Sequence, residues 1–429
     1  MKEEFLHYVW KTGQFDVEKL CSKEGEPIEI IYQGEHNHDS GPDFINAKIR
    51  IGEQLWAGNV EIHVRASDWT KHRHEKDAAY DNVILHVVFH DDADVHTSSG
   101  RMLSALELKE RINRLQYIQY LRLHSSKEMI PCAKRLNEIP SIEIAAWLPR
   151  LLAERLERKA SLLKTELENN RGDWEETFYR HLVRQFGMKV NADPFQWLAA
   201  AAPFRMLSRQ RDNLLQTEAL LFGQSGLLPE KQIDTYSTAL LREYVHLQAK
   251  YSVRPMPARR WKFMRLRPNN FPTVRIAQLA FLLYRYPRLF SLCMEMKSFD
   301  ELRALLDVPA SGYWETHYRF GVRSSRRVKR LGEQAINSIL INTVILFRFL
   351  MGKMKDDAEM QQDALEQLER IPAESNQIIR KWETLGIIPG SACESQALIE
   401  LSGNYCAKKK CLHCAIGARL LRDNAKNAA

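Results

Sequence analysis

The chain opens by switching between two hydrophobic periods. In "EEFLHYVWKTGQF" Phe5, Tyr8, Val9 and Trp10 recur at helical spacing. "PIEIIYQG" then alternates as a strand does and stops at Gly34. "FINAKIRI" and "LWAGNVEIHV" flank Gly52–Glu53, which predicts a tight hairpin. "SDWTKHRHEKDAAY" opens on Ser67 and Asp68, a helix-start signal. "NVILHVVFH" is nearly all apolar, the pattern of a strand covered on both faces. Strands with helices to either side predict a small α/β layer at the head of the chain.

From about residue 140 the period becomes helical throughout. "IEIAAWLPRLLAERLERKASLLKTELE", "WEETFYRHLVRQFG", "FPTVRIAQLAFLLYRYPRLFSLCME" and "GEQAINSILINTVILFRFLMGKM" all space their apolar residues for one buried helical face. The last forty residues are set apart by cysteines. The expected class is therefore α+β, in three segments: an α/β domain over 1–125, a basic helical domain over 126–385, and a cysteine-rich metal knuckle over 386–429.

Composition narrows the picture without changing it. With 45% hydrophobic and 27% charged residues over 429 positions, the chain reads as a globular protein of two or three domains. The N-terminus is acidic early and has no long apolar run, so a secretory signal is not expected. "INSILINTVILFRFLM" carries Asn342 and Arg348 and reads as a buried helix rather than a membrane span, which leaves the cytoplasm as the expected compartment. Charge is uneven: residues 1–100 hold ten Lys/Arg against nineteen Asp/Glu, while the whole chain is +8. An acidic, histidine-rich head joined to a basic body fits a phosphate-binding protein with a cation site.

The hairpin carries the sharpest chemistry. A two-residue turn at Gly52–Glu53 sets Ile45 opposite Val60 and Ile49 opposite Trp56, leaving Glu61 and His63 on the other face with Asn46, Lys48 and Arg50. Asp43 falls beside both Glu61 and His63, although strict alternation puts it on the apolar face, so a bend at Gly41–Pro42 is expected to swing it round. Two adjacent carboxylates are how Mg²⁺ is held against a phosphodiester. Pro42–Asp43 followed by Glu61-Ile62-His63 resembles the core of the PD-(D/E)XK nuclease superfamily. The resemblance implies a restriction-endonuclease-like fold over residues 1–100. It also implies Mg²⁺ on Asp43 and Glu61, an upstream acid at Glu3 or Glu4, and a cation beside the attacking water. His63 stands where that family has lysine, and Lys48 is the candidate for a migrated charge. Over the whole chain, "GPDFINAKI", "GNVEIHVRASDW", "DAAYDNVILHVV" and "YCAKKKCLHCAIG" are similar to an uncharacterised bacterial family, domain of unknown function 2851, which implies no chemistry of its own.

Ten of the fourteen histidines precede residue 125. His72, His74 and Asp77, with His63, form an alternative zinc site that would polarise water. Cys393, Cys406, Cys411 and Cys414 are spaced C-x12-C-x4-C-x2-C, which in an intracellular chain predicts a four-thiolate site for zinc or an iron–sulfur cluster. Arg259 and Arg260 in "RPMPARRWKFMRLRP", and Arg326 and Arg327 in "YRFGVRSSRRVKRLG", interleave guanidinium and aromatic groups as nucleic-acid surfaces do. The expected function is a metal-dependent nuclease or nuclease-like protein acting on DNA. A non-catalytic nucleic-acid-binding or scaffold protein of the same fold is the alternative, and a zinc hydrolase using the histidines is the third option.

Overall fold

The computed structural model describes residues 1–231 and 233–426. The chain is α+β and forms two compact units, Met1–Trp147 with Leu401–Ala429, and Leu148–Glu400. The first unit is thus discontinuous, whereas the sequence reading divides the chain into consecutive segments at residues 125 and 385. Periodicity reports local elements and is blind to which distant segments share a core.

The first unit is built on a six-stranded sheet: β1 (Ile28–Tyr32), β2 (Glu35–His36), β3 (Phe44–Ile51), β4 (Gln54–Arg65), β5 (Val83–His90) and β6 (Ala105–Glu107). Its order is β1-β3-β4-β5-β6, with β2 also paired to β3; the pairs up to β4 are antiparallel, and β4-β5-β6 run parallel. Helix α1 (Glu3–Thr12) packs against β4 and buries Phe5, Leu6, Tyr8, Val9 and Trp10. It ends where Gly13 takes a left-handed conformation (φ +63°), which a glycine adopts without steric cost. The first six residues of β5, Val83 to Val88, are all buried, as their apolar run predicts for a covered strand.

The β3–β4 hairpin turns at Gly52–Glu53 as expected, and Ile49 faces Trp56. Farther from the turn the register changes. Phe44, not Ile45, stands opposite Val60, because a bulge lies between Phe44 and Ala47 and Asn46 sits there at φ +60°. Asn46 is among the side chains that tolerate this region, since a short polar group can bond locally. Its N–H faces Asn59 Oδ1 at 3.4 Å. The extra residue reverses the alternation: Phe44, Ala47, Ile49 and Ile51 are buried, while Asn46, Lys48 and Arg50 are exposed. Asp43, the neighbour of buried Phe44, therefore points to the face of Glu61. This bulge, rather than the expected bend at Gly41–Pro42, brings the acid to the polar side.

After β4 the helix expected from Ser67–Asp68 lasts one turn, α2 (Asp68–Lys71). Arg73 at φ +65° breaks it, and two short 3₁₀ turns follow, His74–Lys76 and Ala78–Tyr80. Trp69 is fully buried and donates from Nε1 to His96 O (3.0 Å), which anchors the segment over the sheet. Later elements of this unit are α3 (Arg114–Ser125), a 3₁₀ stretch Ala133–Glu138, a π turn Leu401–Cys406, and the terminal helix Ala415–Lys426.

The second unit is helical apart from a two-stranded ribbon, His317–Arg319 with Val322–Arg323. The long apolar pattern at 271–295 is two helices, Pro272–Arg285 and Leu289–Glu295, separated at Tyr286–Pro287, where proline cannot continue the ladder. Glu333–Lys355 is long and apolar enough to cross a membrane by length and composition, and 78% of its most apolar window is buried inside the protein. Its Arg348 is 1% exposed and spends its donors on Cys293 O (2.8 Å), Met296 O and Asp363 (2.7 Å).

Candidate metal centre

Five elements of the first unit deliver polar side chains to one place. Asp43 precedes β3, Glu61 and His63 lie on β4, His86 on β5, His72 and His74 on the broken segment after β4, and His7 on α1. Because α2 stops at Arg73, the chain doubles back, so His72 and His74 both reach His63. One ligand atom from each of these three imidazoles lies within 4.8 Å of the other two.

The two carboxylates are locked by the hairpin's own backbone. Asp43 N–H donates to Glu61 Oε2 (3.0 Å), and Ile62 N–H donates to Asp43 Oδ2 (3.0 Å). Glu61 Oε1 is left facing His74 Nε2 at 3.5 Å and His63 Nε2 at 3.7 Å. His63 Nδ1 is held by His86 Nε2 at 2.9 Å, and its Nε2 lies 3.1 Å from His72 Nδ1. His7 Nε2 stands 3.3 Å from Asp43 Oδ2. Tyr80 stacks on His74 with ring centroids 3.8 Å apart, closing one side.

This is a desolvated cluster with too little positive charge. Burial, then the charges of Asp43 and Glu3, push the Glu61 carboxyl up to about 9. Burial, then His86, His72 and His74, hold His63 down to about 3, and burial with His74 does the same to His86. His74 is lowered by burial and His72. Burial works against a cation on His7, but its hydrogen bond to Asp43 and that residue's charge outweigh it, so His7 is raised. His63, His74 and His86 are thus disfavoured as cations and offer lone pairs beside Asp43 and Glu61, the donor set of a borderline divalent cation such as zinc. The residues fit such an ion: three nitrogens gathered around one point, a carboxylate oxygen adjoining them, and His86 orienting His63 from behind, as outer partners of metal-bound histidines do.

The structure gathers Asp43, Glu61 and His63 of the expected Mg²⁺ site and joins to them His72 and His74 of the alternative zinc site. Lys48 is not brought in: it is exposed opposite Ala57, four residues along β4 from Glu61. At a strand rise of about 3.3 Å that is on the order of 13 Å away. Of the two upstream acids, Glu3 acts electrostatically on Glu61, whereas Glu4 bonds Tyr120. Asp77 caps the turn Ala78–Tyr80 by accepting from Ala79 N–H (2.9 Å). His7 and His86 belong to the cluster, and nothing in their local sequence marks them.

In the second unit both basic stretches are largely irregular. Arg260 lies over Trp197 (4.8 Å), Arg326 pairs with Glu315 (2.9 Å), and Arg259 and Arg327 are exposed. The stretches meet where Arg319 covers Phe263 (4.6 Å) and Phe271 (5.1 Å). Lys329 turns inward instead, donating to Trp314 O and to Glu315 O (2.9 Å). Of the four C-terminal cysteines, Cys406, Cys411 and Cys414 belong to the first unit and Cys393 to helix Ala392–Glu400 of the second.

Comparison with curated proteins and with solved structures finds no match. The family described as protein of unknown function DUF2851 matches residues 3–377, which take in every side chain of the histidine–carboxylate cluster and stop short of Cys393. Matched over nearly its whole length, the chain belongs to that family.

Proposed function

We propose that this protein is a metal-dependent phosphodiester hydrolase acting on nucleic acid, with the cation held by His63, His72, His74 and Glu61. The gathering of three imidazole ligand atoms within 4.8 Å, beside Glu61, carries the reading. It combines the nuclease expected from Asp43 and Glu61 with the histidine-bound ion of the third option, and it shifts the metal from Mg²⁺, which prefers oxygen, to zinc. The mixed sheet with α1 against β4 is what a restriction-endonuclease-like core would require. The bound ion would polarise the phosphate and lower the pKa of water. The chain's own groups have separate tasks. Asp43, fixed by Ile62 N–H, orients the nucleophilic water through its remaining oxygen. His7, whose protonated form Asp43 favours, hands a proton to the departing oxygen. Nucleic acid as the substrate draws on the basic second unit, where Arg319, Phe263 and Phe271 offer charge and stacking together.

The test is metal analysis together with cleavage of plasmid and single-stranded DNA in zinc, manganese or magnesium. His63→Ala and His74→Ala should each remove the metal and the activity, and Asp43→Asn should remove activity while metal stays. Full metal content in both histidine variants would defeat the site. A protein that binds DNA and metal but cuts nothing would instead establish the non-catalytic alternative, which the position of Lys48 favours.

A further inference from the structure

A second cluster in the first unit differs from the one the cysteine spacing predicts. Cys132 lies at the start of the 3₁₀ stretch Ala133–Glu138, 274 residues before Cys406 in sequence. That stretch packs on the terminal helix Ala415–Lys426, and so does the 3₁₀ turn Cys411–His413. Cys406 closes the π turn, and Cys414 sits just ahead of the terminal helix, its carbonyl accepting from Ala418 N–H at 2.8 Å. All four sulfur-bearing residues are buried: Cys132 9%, Cys406 7%, Cys411 8% and Cys414 7% exposed. They are electrostatic neighbours: after burial, the charges of Cys414 and Cys411 raise Cys132, and those of Cys132, Cys414 and Cys411 raise Cys406.

Burial raises all four thiols, so thiolates there need positive partners, and the surroundings supply part of that need. The Cys414 sulfur receives backbone N–H groups from Ile416 and Gly417 at the opening of the terminal helix, where the helix dipole favours negative charge. Gly417 is there because a Cβ would lie 2.2 Å from Cys411 O, so only glycine lets the Cys411 backbone close on the helix. Lys409, held at φ +56° with Nζ on Ser126 O (2.6 Å), places its charge near Cys406 and Cys411. Cys393 has other company: its Sγ faces Leu365 O at 3.8 Å, with Glu369 and Glu394 nearby and none of the other cysteines among its electrostatic neighbours.

We propose that Cys132, Cys406, Cys411 and Cys414 are the ligands of a four-thiolate metal centre, and that Cys393 is not one of them. Four protein sulfurs saturate the centre, so its role is structural: it fastens the chain's last segment to the stretch that follows α3. No three of these sulfurs lie mutually within 4.8 Å, as the three imidazoles do. A zinc tetrahedron needs sulfurs roughly 3.8 Å apart, and an inorganic cluster spreads its cysteines more widely. An iron–sulfur cluster is the expected occupant.

The experiment is metal and sulfide analysis of the full chain purified without oxygen, as wild type, Cys132→Ser and Cys393→Ser. The wild type should be brown with iron and sulfide or, assayed in a His63→Ala background to empty the histidine centre, colourless with one zinc per chain. Either occupant supports the ligand set, and the two readings identify which it is. Cys393→Ser should keep the full complement, whereas Cys132→Ser should lose it and expose the C-terminal segment to protease. To separate ligand loss from misfolding, thiol labelling of the native wild type should modify Cys132, Cys406, Cys411 and Cys414 together only after chelation. Retention of the iron, or of that zinc, by Cys132→Ser, its loss by Cys393→Ser, or labelling of Cys132 in the metal-loaded protein would each overturn the proposal.

Discussion

Glu61 offers a perturbation whose sign and size follow from its surroundings. It is 5% exposed, and its carboxyl is pushed from an ordinary 4.5 up to about 9 by burial and by Asp43. In metal-free protein the neutral acid is therefore the comfortable form. The stability this provides is fully present below pH 4.5 and drains away as pH rises through about 9, because the unfolded chain gives up its proton first. Each pH unit in that window weakens folding by up to about 1.4 kcal/mol, so pH 5 to pH 8 costs about 4 kcal/mol at most. Glu61→Gln is nearly isosteric with the neutral acid and can still accept Asp43 N–H. With chelator present, the variant should match wild type at pH 5 and exceed it at pH 8 by up to about 4 kcal/mol, a rise of up to about 4 °C in melting temperature for a cooperative chain of 429 residues. Added zinc should reverse the order, since a metal-bound carboxylate is stabilised by an amount the amide cannot recover. Thermal melts at the two pH values, with and without metal, decide it. A variant that is equally destabilised at both pH values would refute the account of Glu61 as a strained acid.

Two further outcomes follow from the geometry. Deleting Asn46 should restore strict alternation, turn Asp43 toward the apolar side and abolish hydrolysis; Asn46→Gly should fold within about 1 kcal/mol of wild type, and an active deletion variant would show that the bulge does not orient the acid. If the basic loops hold phosphates, replacing Arg259, Arg260, Arg326 and Arg327 with Ala should weaken DNA binding and flatten its dependence on log salt by about 0.9 per lost contact. An unchanged slope would remove those loops from the interface.

Much of the first unit's sheet is legible in sequence. The apolar run of β5, the turn at Gly52–Glu53 and the pairing of Ile49 with Trp56 all follow from alternation and turn chemistry. Sequence pattern fails where one residue changes phase. The Asn46 bulge has no strong signature, and it decides which side Asp43 occupies. The left-handed Arg73 is similar: the Ser67–Asp68 start signal is real, but a longer helix would have carried His72 and His74 apart. Among the cysteines, spacing identifies Cys406, Cys411 and Cys414 as companions. The neighbour that Cys132 supplies is a matter of tertiary packing, and no local window contains it.

The split course of the first unit has a temporal consequence. Its sheet and early helices emerge from the ribosome first, yet its terminal helix and three of the clustered cysteines come last, after all of Leu148–Glu400. At roughly 5–20 residues per second, the early portion waits on the order of 10–50 s with that surface uncovered. During that interval Cys132 stands without Cys406, Cys411 and Cys414. Completion of the N-terminal unit therefore waits for residues 401–429, and a ribosome that stalls in the helical region leaves an unfinished sheet domain rather than a finished one.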